Sequence, residues 1–197
     1  MNKIPFSERL AQHTPILADG AMGTLLMQRS GLGLNACLDQ LNLTHPVLVR
    51  DVHSEYIAAG SELIETNTFG ANSFKLAEYG LSESVIEINQ AGVTSAREAA
   101  AGHDVYVAGA VGPLGVALKP YGKVSREEGR AAFTEQIQAL LAANVDLLLF
   151  ETFPNHDELM LAIETARSLD AEIPIVAQAT FSVDGVTNTG HTPARVA

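Results

Sequence analysis

Five apolar runs of strand length punctuate the chain: residues 15–20 (PILADG), 61–70 (SELIETNTFG), 104–113 (DVYVAGAVGP), 145–153 (VDLLLFETF) and 173–181 (IPIVAQATF). They are rich in Val, Ile and Leu and alternate poorly, the pattern of parallel strands covered on both faces. Helical stretches separate them. HPVLVRDVHSEYIAAG carries Pro46 near its start and Gly60 just past its end, the usual asymmetry of helix ends. SESVIEINQAGVTSAREAAAG ends at Gly102. SREEGRAAFTEQIQALLAAN opens with Ser125 and Glu128 at capping-box spacing, and NHDELMLAIETARSL repeats that spacing with Asn155 and Glu158. A short helix is expected over PFSERLAQH, before the first run.

Strand–helix repetition predicts an α/β fold with a parallel sheet and right-handed crossovers. Two architectures compete, the open doubly wound sheet and the (β/α)8 TIM barrel. The run ends favour the barrel. Each carries polar or glycine residues: Asp19-Gly20, Glu65 to Thr68, Gly112-Pro113, Glu151-Thr152, Gln178 and Thr180. A barrel builds its site from many strand tips on one face, whereas an open sheet concentrates it at one switch point. A full barrel needs about 250 residues, and the chain has 197. Only about the first five β/α units are therefore expected, with residues 1–197 forming the N-terminal part of one barrel domain. The last residues, TGHTPARVA, read as a helix start with Thr192 as N-cap and Pro193 following. The expectation is a C-terminally truncated chain.

Composition narrows the partners. The formal net charge is −11, from 12 basic and 23 acidic residues, with no Lys/Arg cluster. Nucleic acid and anionic membrane surfaces are poor partners for such a chain. No apolar run approaches the roughly 20 residues of a membrane span, and the N-terminus lacks a signal-peptide core. Cys37 is the single cysteine, so no internal disulfide can form. These features point to the cytoplasm.

The abrupt end of VDLLLFETF in Glu151 is the most informative site signal. A strand buried on both faces gains nothing from an acid at its tip unless the acid faces a ligand. Capping of the next helix falls to Asn155 and Glu158, which leaves Glu151 free. Asp19, in ADGAMGT, reads either as a turn residue or as a ligand-facing acid followed by approachable amides. ETNTFGAN, residues 65–72, crowds polar side chains onto a strand tip, with Thr66 and Asn67 stronger candidates than Glu65. GAVGPLG, residues 109–115, is a close-approach loop and not a phosphate loop, since no Lys-Ser/Thr follows. GLGLNA, residues 31–36, follows no strand and is rejected as a dinucleotide site. The six histidines are scattered and show no metal-ligand spacing, and most are expected at the surface or at caps; Cys37 is expected to be a packed thiol. The four lysines avoid run ends, which argues against Schiff-base chemistry. Two carboxylates across a barrel mouth with glycine amides nearby suit an α-amino acid, acids for its ammonium and amides for its carboxylate.

The motifs ILADGAMGT, QLNLTHP, YIAAGSELIETNTFGAN, GAVGPLG and LLLFETF together resemble the homocysteine S-methyltransferase family. That family includes the homocysteine-binding module of cobalamin-dependent methionine synthase and betaine–homocysteine methyltransferase. The resemblance runs from about residue 15 to the end. It implies a (β/α)8 barrel that binds homocysteine, activates its thiol on cysteine-held zinc and transfers a methyl group to give methionine, a step of one-carbon metabolism. The logic is that a free thiol ionises near pH ~8.5 and a coordinated one is deprotonated outright. Residue by residue, the resemblance implies that Asp19, Gly20, Ala21, Thr66, Asn67, Thr68 and Glu151 hold the amino-acid end of homocysteine. The family's zinc cysteines follow later strands, beyond Ala197, and Cys37 matches none of them. No catalytic residue is identifiable, and the chain alone is expected neither to hold catalytic zinc nor to turn over. The methyl donor, of methylfolate/cobalamin, betaine or S-methylmethionine type, stays open. So do two alternatives: a non-catalytic, partner-completed homocysteine-binding or amino-acid-binding module, and the N-terminal part of a bifunctional homocysteine methyltransferase/methylenetetrahydrofolate reductase.

A partial barrel exposes strand edges and apolar faces. The isolated chain should therefore oligomerise or bind a hydrophobic dye; a monomer with a sharp thermal transition and no dye signal contradicts this.

Overall fold

The computed structural model describes residues 3–33 and 35–197; Leu34, inside GLGLNA, lies outside them. Four parallel strands, β1 (Leu63–Glu65), β2 (Tyr106–Val111), β3 (Leu147–Phe153) and β4 (Ile175–Ala179), pair strictly in chain order. Register runs from Leu63–Tyr106 and Glu65–Ala108 through Ala108–Leu147 and Val111–Phe150 to Leu148–Ile175. A doubly wound sheet reverses its order at a switch point. None occurs among these strands, so the winding is that of a barrel wall, as expected.

The first run differs from expectation. It contributes one parallel bridge, Ala18 to Leu63, and not a strand. The bonds Glu62 N–H to Leu17 O (2.8 Å) and Asp19 N–H to Leu63 O (2.9 Å) begin a ladder. The next one is taken over by a side chain: the Glu65 N–H donates to Asp19 Oδ2 at 3.0 Å. The ladder stops there, and Gly20 leads the chain into α2 (Met22–Ser30).

Helices α4 (Pro46–Ala58), α6 (Val85–Ala99), α7 (Arg126–Ala142) and α8 (His156–Leu169) cover the outer face. α4 starts with proline, and Gly60 follows it at φ +107°. At α7 the Ser125 hydroxyl accepts from the Glu128 N–H and the Glu128 carboxylate accepts from the Ser125 N–H, a complete capping box. At α8 the box is only half made. Asn155 Oδ1 accepts from the Asp157 and Glu158 N–H groups, but the buried Glu158 carboxylate turns away to accept from the Leu114 N–H at 2.8 Å. Two short helices escaped the sequence pattern, α3 (Leu41–Thr44) and α5 (Ser73–Ala77). Asn72, one of the polar cluster, caps α5 through the Phe74 and Lys75 N–H groups. At α9 (Pro193–Val196) Thr192 occupies the N-cap but makes no side-chain bond there.

Alternation sorts the strand residues. Ile64 and Val107 face outward onto Ala96, Ala99 and Ile57, and Val111, Leu148 and Phe150 onto Phe133, Ile137, Leu140 and Leu159. Leu63, Tyr106, Ala108, Leu147 and Leu149 face inward and pack with Ile16, Val176 and Phe6. Phe6 comes from α1 (Phe6–Leu10), and its ring meets Tyr106 edge-on at 5.1 Å. The Lys3 ammonium pairs with Asp146 at 2.8 Å and donates to Val105 O, and the Tyr106 hydroxyl donates to Ile4 O. Residues 3–10 thus close the end where the strands begin, leaving the C-terminal tips open. Strand β4 is the least covered, with Ala177 and Gln178 exposed.

Phe6→Ala should cost about 3–5 kcal/mol, the range for emptying a buried aromatic site, read from urea unfolding. A loss under about 1 kcal/mol would show that the plug is not part of the core.

Candidate functional site

A cavity of about 850 Å³ opens at the C-terminal strand tips. Its walls include Asp19, Gly20 and Ala21 after the first run, Glu65, Thr66 and Asn67 after β1, and Glu151 and Thr152 at the end of β3. A second hollow of about 930 Å³ lies on the outer surface between α6 and α7, where no strand tip reaches it.

The β3 tip is built to present an acid. Phe150 and Phe153 both pack into the outer core, although a regular strand would turn residues three apart to opposite faces. The register slips between them, and Thr152 absorbs the extra residue at φ +60°. A β-branched residue in the left-handed region costs of order 1–3 kcal/mol. Glu151 shares the inward parity of Leu147 and Leu149, and the bulge holds it at the cavity mouth. The apolar run ends in an acid because the strand bends there.

Asp19 uses one carboxylate oxygen to hold the Glu65 N–H; the other, Oδ1, is buried with no hydrogen-bond partner among the described residues. Such a group carries a desolvation penalty that a ligand donor would relieve. Burial pushes the Asp19 carboxyl up to about 7, with the Glu151 charge adding to it. Glu65, inward by the same parity as Leu63, is pushed up to about 8 by burial and then by Glu151 and Asp19. Burial also raises Glu151, while Lys75 opposes the rise.

The polar cluster divides. Thr66 lines the cavity, but its hydroxyl accepts from the Ala110 N–H at 3.0 Å and lies 2.7 Å from the Thr68 hydroxyl. Thr68 is fully buried, donates to Ala110 O at 2.8 Å and is not among the lining residues. Asn67 lines the cavity while its amide donates to Leu38 O and Asn42 Oδ1. These side chains tie the β1 tip to β2 and α3. Gly20 and Ala21 face the cavity, and no described residue accepts their N–H groups.

Several lining residues carried weak signals or none. Glu65 was readable from parity with Leu63. Asp39 and Lys75 sit away from strand tips. Asp39 accepts the Gly70 N–H at 2.9 Å and is pushed up to about 6 by burial. A Cβ at Gly70 would lie 2.7 Å from Asp39 Oδ2, so any larger residue there would have to displace that carboxylate. In GAVGPLG the close approach is internal, because a Cβ at Gly112 would overlap the Phe69 ring.

Among the described residues no group of three or more His, Cys, Asp or Glu is placed to hold a metal ion. Cys37 packs with Ala71, Leu76, Val85 and Ile88, and burial pushes its thiol up, the opposite of a metal-ready thiolate. These residues do not fit a zinc site. His53 departs from the surface expectation: it is fully buried, neither ring nitrogen has a described partner, and burial lowers it to about 4.

Asp19 and Glu65 keep protons in the folded chain at pH values where the unfolded chain has released them. The folded state then binds more protons, and stability falls as pH rises from the ordinary carboxylate range to about 7 for Asp19 and about 8 for Glu65. Glu65→Gln should match the parent in urea midpoint near about pH 4 and exceed it near about pH 8. A difference that ignores pH contradicts the buried carboxylates.

The model of the homocysteine S-methyltransferase family matches residues 16–197. Methionine synthase of Mycobacterium leprae is 32% identical over 192 residues, covering 90% of this chain and 16% of that protein. Methionine synthase of Mycobacterium tuberculosis is 32% identical over 185 residues, 86% of this chain and 15% of that protein. The chain thus spans about a sixth of these relatives. The crystal structure of the metallated form of the homocysteine methyltransferase MmuM from Escherichia coli superposes with a TM-score of 0.81 at 28% identity, covering 95% of this chain and 71% of that one. Its oxidized form gives 0.82 at 27% identity, covering 96% and 70%. The matched structure extends past the part of the barrel present here, and the site lies at the strand tips of the shared part. The chain belongs to the homocysteine S-methyltransferase family.

Proposed function

We propose that residues 1–197 form the N-terminal part of a homocysteine-binding barrel and supply the amino-acid end of its site. The observation that carries this is the buried, unpartnered Oδ1 of Asp19 in the cavity to which the β3 bulge delivers Glu151. An ammonium placed between the two carboxylates would satisfy Oδ1. Its charge would also offset the burial that raises both groups and the Glu151 charge that adds to the rise of Asp19. The N–H groups of Gly20 and Ala21, at the start of α2, suit the carboxylate of the same ligand. Thr66, Asn67 and Thr68 act by holding the tip rigid.

The reaction we assign to the longer protein is transfer of a methyl group to the homocysteine sulfur, giving methionine. Zinc belongs in that proposal as the group that deprotonates the thiol, on cysteines that this sequence does not contain. The residues here bind and orient the other end of the substrate, so the sulfur projects toward the rest of the barrel. The donor is of methylfolate/cobalamin, betaine or S-methylmethionine type. Among the described residues no helix is long and apolar enough to cross a membrane; the acidic charge and single cysteine support a cytoplasmic role away from nucleic acid.

Calorimetry tests the assignment. Homocysteine should bind the chain without added zinc. Asp19→Asn and Glu151→Gln should each weaken binding by about 1.5–3 kcal/mol, the worth of a charge-assisted hydrogen bond. No binding, or binding indifferent to both changes, contradicts it. A stoichiometric zinc supporting turnover by this chain alone would contradict the division of the site.

A further inference from the structure

Lys75 is the only lysine or arginine among the residues lining the cavity. It is half-buried in α5. Its stem packs over Gly115, where a Cβ would come within 3.1 Å of Lys75 Cγ and 3.2 Å of Cε. Its ammonium stands 4.3 Å from the centroid of the Phe69 ring. Asp39, Glu158, Glu78 and Glu151 all act on its charge, yet among the described residues no carboxylate forms an ion pair with it and no acceptor takes a hydrogen bond from it. Asp39 is engaged elsewhere, with the Gly70 N–H. Glu158 is engaged with the Leu114 N–H. An ammonium has three donors and is costly to hold half-buried without an acceptor. Burial accordingly lowers the Lys75 pKa.

We propose that Lys75 binds the carboxylate of the amino-acid substrate and so sets the site's preference for a zwitterion over a plain amine. This rests on the function proposed above. Glu151 and Lys75 sense each other's charge across the cavity without pairing. An α-amino acid carries an ammonium and a carboxylate on one carbon, so a single ligand can face Glu151 with one group and Lys75 with the other. The amides of Gly20 and Ala21 offer partial charges only. Lys75 adds a full one, with its stem packed at Gly115 and its ammonium against the Phe69 ring.

The test compares two ligands by calorimetry on the 197-residue chain: homocysteine, and 3-aminopropane-1-thiol, which lacks the carboxylate. Lys75→Met keeps the stem and removes the charge. It should weaken homocysteine roughly 10- to 100-fold and the amine less than about threefold, with Lys75→Arg recovering most of the loss. Amine binding to Lys75→Met certifies that the variant is folded. Equal weakening of both ligands would mean a structural role and overturn the proposal, as would unchanged homocysteine binding. If the parent chain binds neither ligand, the function proposed above fails first and this inference falls with it.

Discussion

One hydrogen bond, from the Glu65 N–H to Asp19 Oδ2, decides how the first run of the chain becomes part of a site. It replaces the next backbone bond of a parallel ladder, so pairing stops after the Ala18–Leu63 bridge. It turns the Asp19 carboxylate toward the cavity, leaves Oδ1 without a donor and draws Asp19 close to Glu65. Burial raises the pKa values of both groups; the Glu151 charge adds to each, and Asp19 adds to that of Glu65. Gly20 and Ala21 then lead the chain into α2, and their N–H groups, which no described residue accepts, open on the same space.

The two ends of the partial barrel are chemically opposite, and parallel pairing makes them so. Every strand starts at the apolar end, where Phe6 and Tyr106 close the interior. Every strand finishes at the polar end, where acids and amides collect. There the structure tolerates a left-handed Thr152, an unpartnered carboxylate oxygen and carboxylates close enough to repel. Such features persist where the surrounding structure over-determines them, and they are common at ligand sites.

Much of this was legible in the sequence. The apolar runs of 104–113 and 145–153 became β2 and β3, and the glycines after α4 and α6 adopt the left-handed conformation their positions suggested. Asp19 and Glu151 were visible as acids ending apolar runs, and both line one cavity. What stayed hidden depends on contacts between distant residues. The first run looked like a strand because nothing local reveals that Asp19 will take the Glu65 N–H. Glu158 sat at capping-box spacing, yet Leu114, far away in sequence, claims it. ETNTFGAN announced a polar tip without showing that Thr68 would be sealed inside and Asn72 would cap α5. Lys75 enters the cavity from a five-residue helix with no periodicity to announce it.

The central claim is that Asp19 and Glu151 together hold the ammonium of an amino acid. Carbon-13 resonances of the side-chain carboxyl groups, followed through a pH titration with and without homocysteine, test it most directly. In the empty protein Asp19 should titrate near 7 and Glu151 above the ordinary glutamate range. Bound homocysteine should shift both to lower pH, because an adjacent positive charge favours the ionised form. Titration of either group at its ordinary value in the empty protein, or curves that homocysteine leaves in place, would contradict the account.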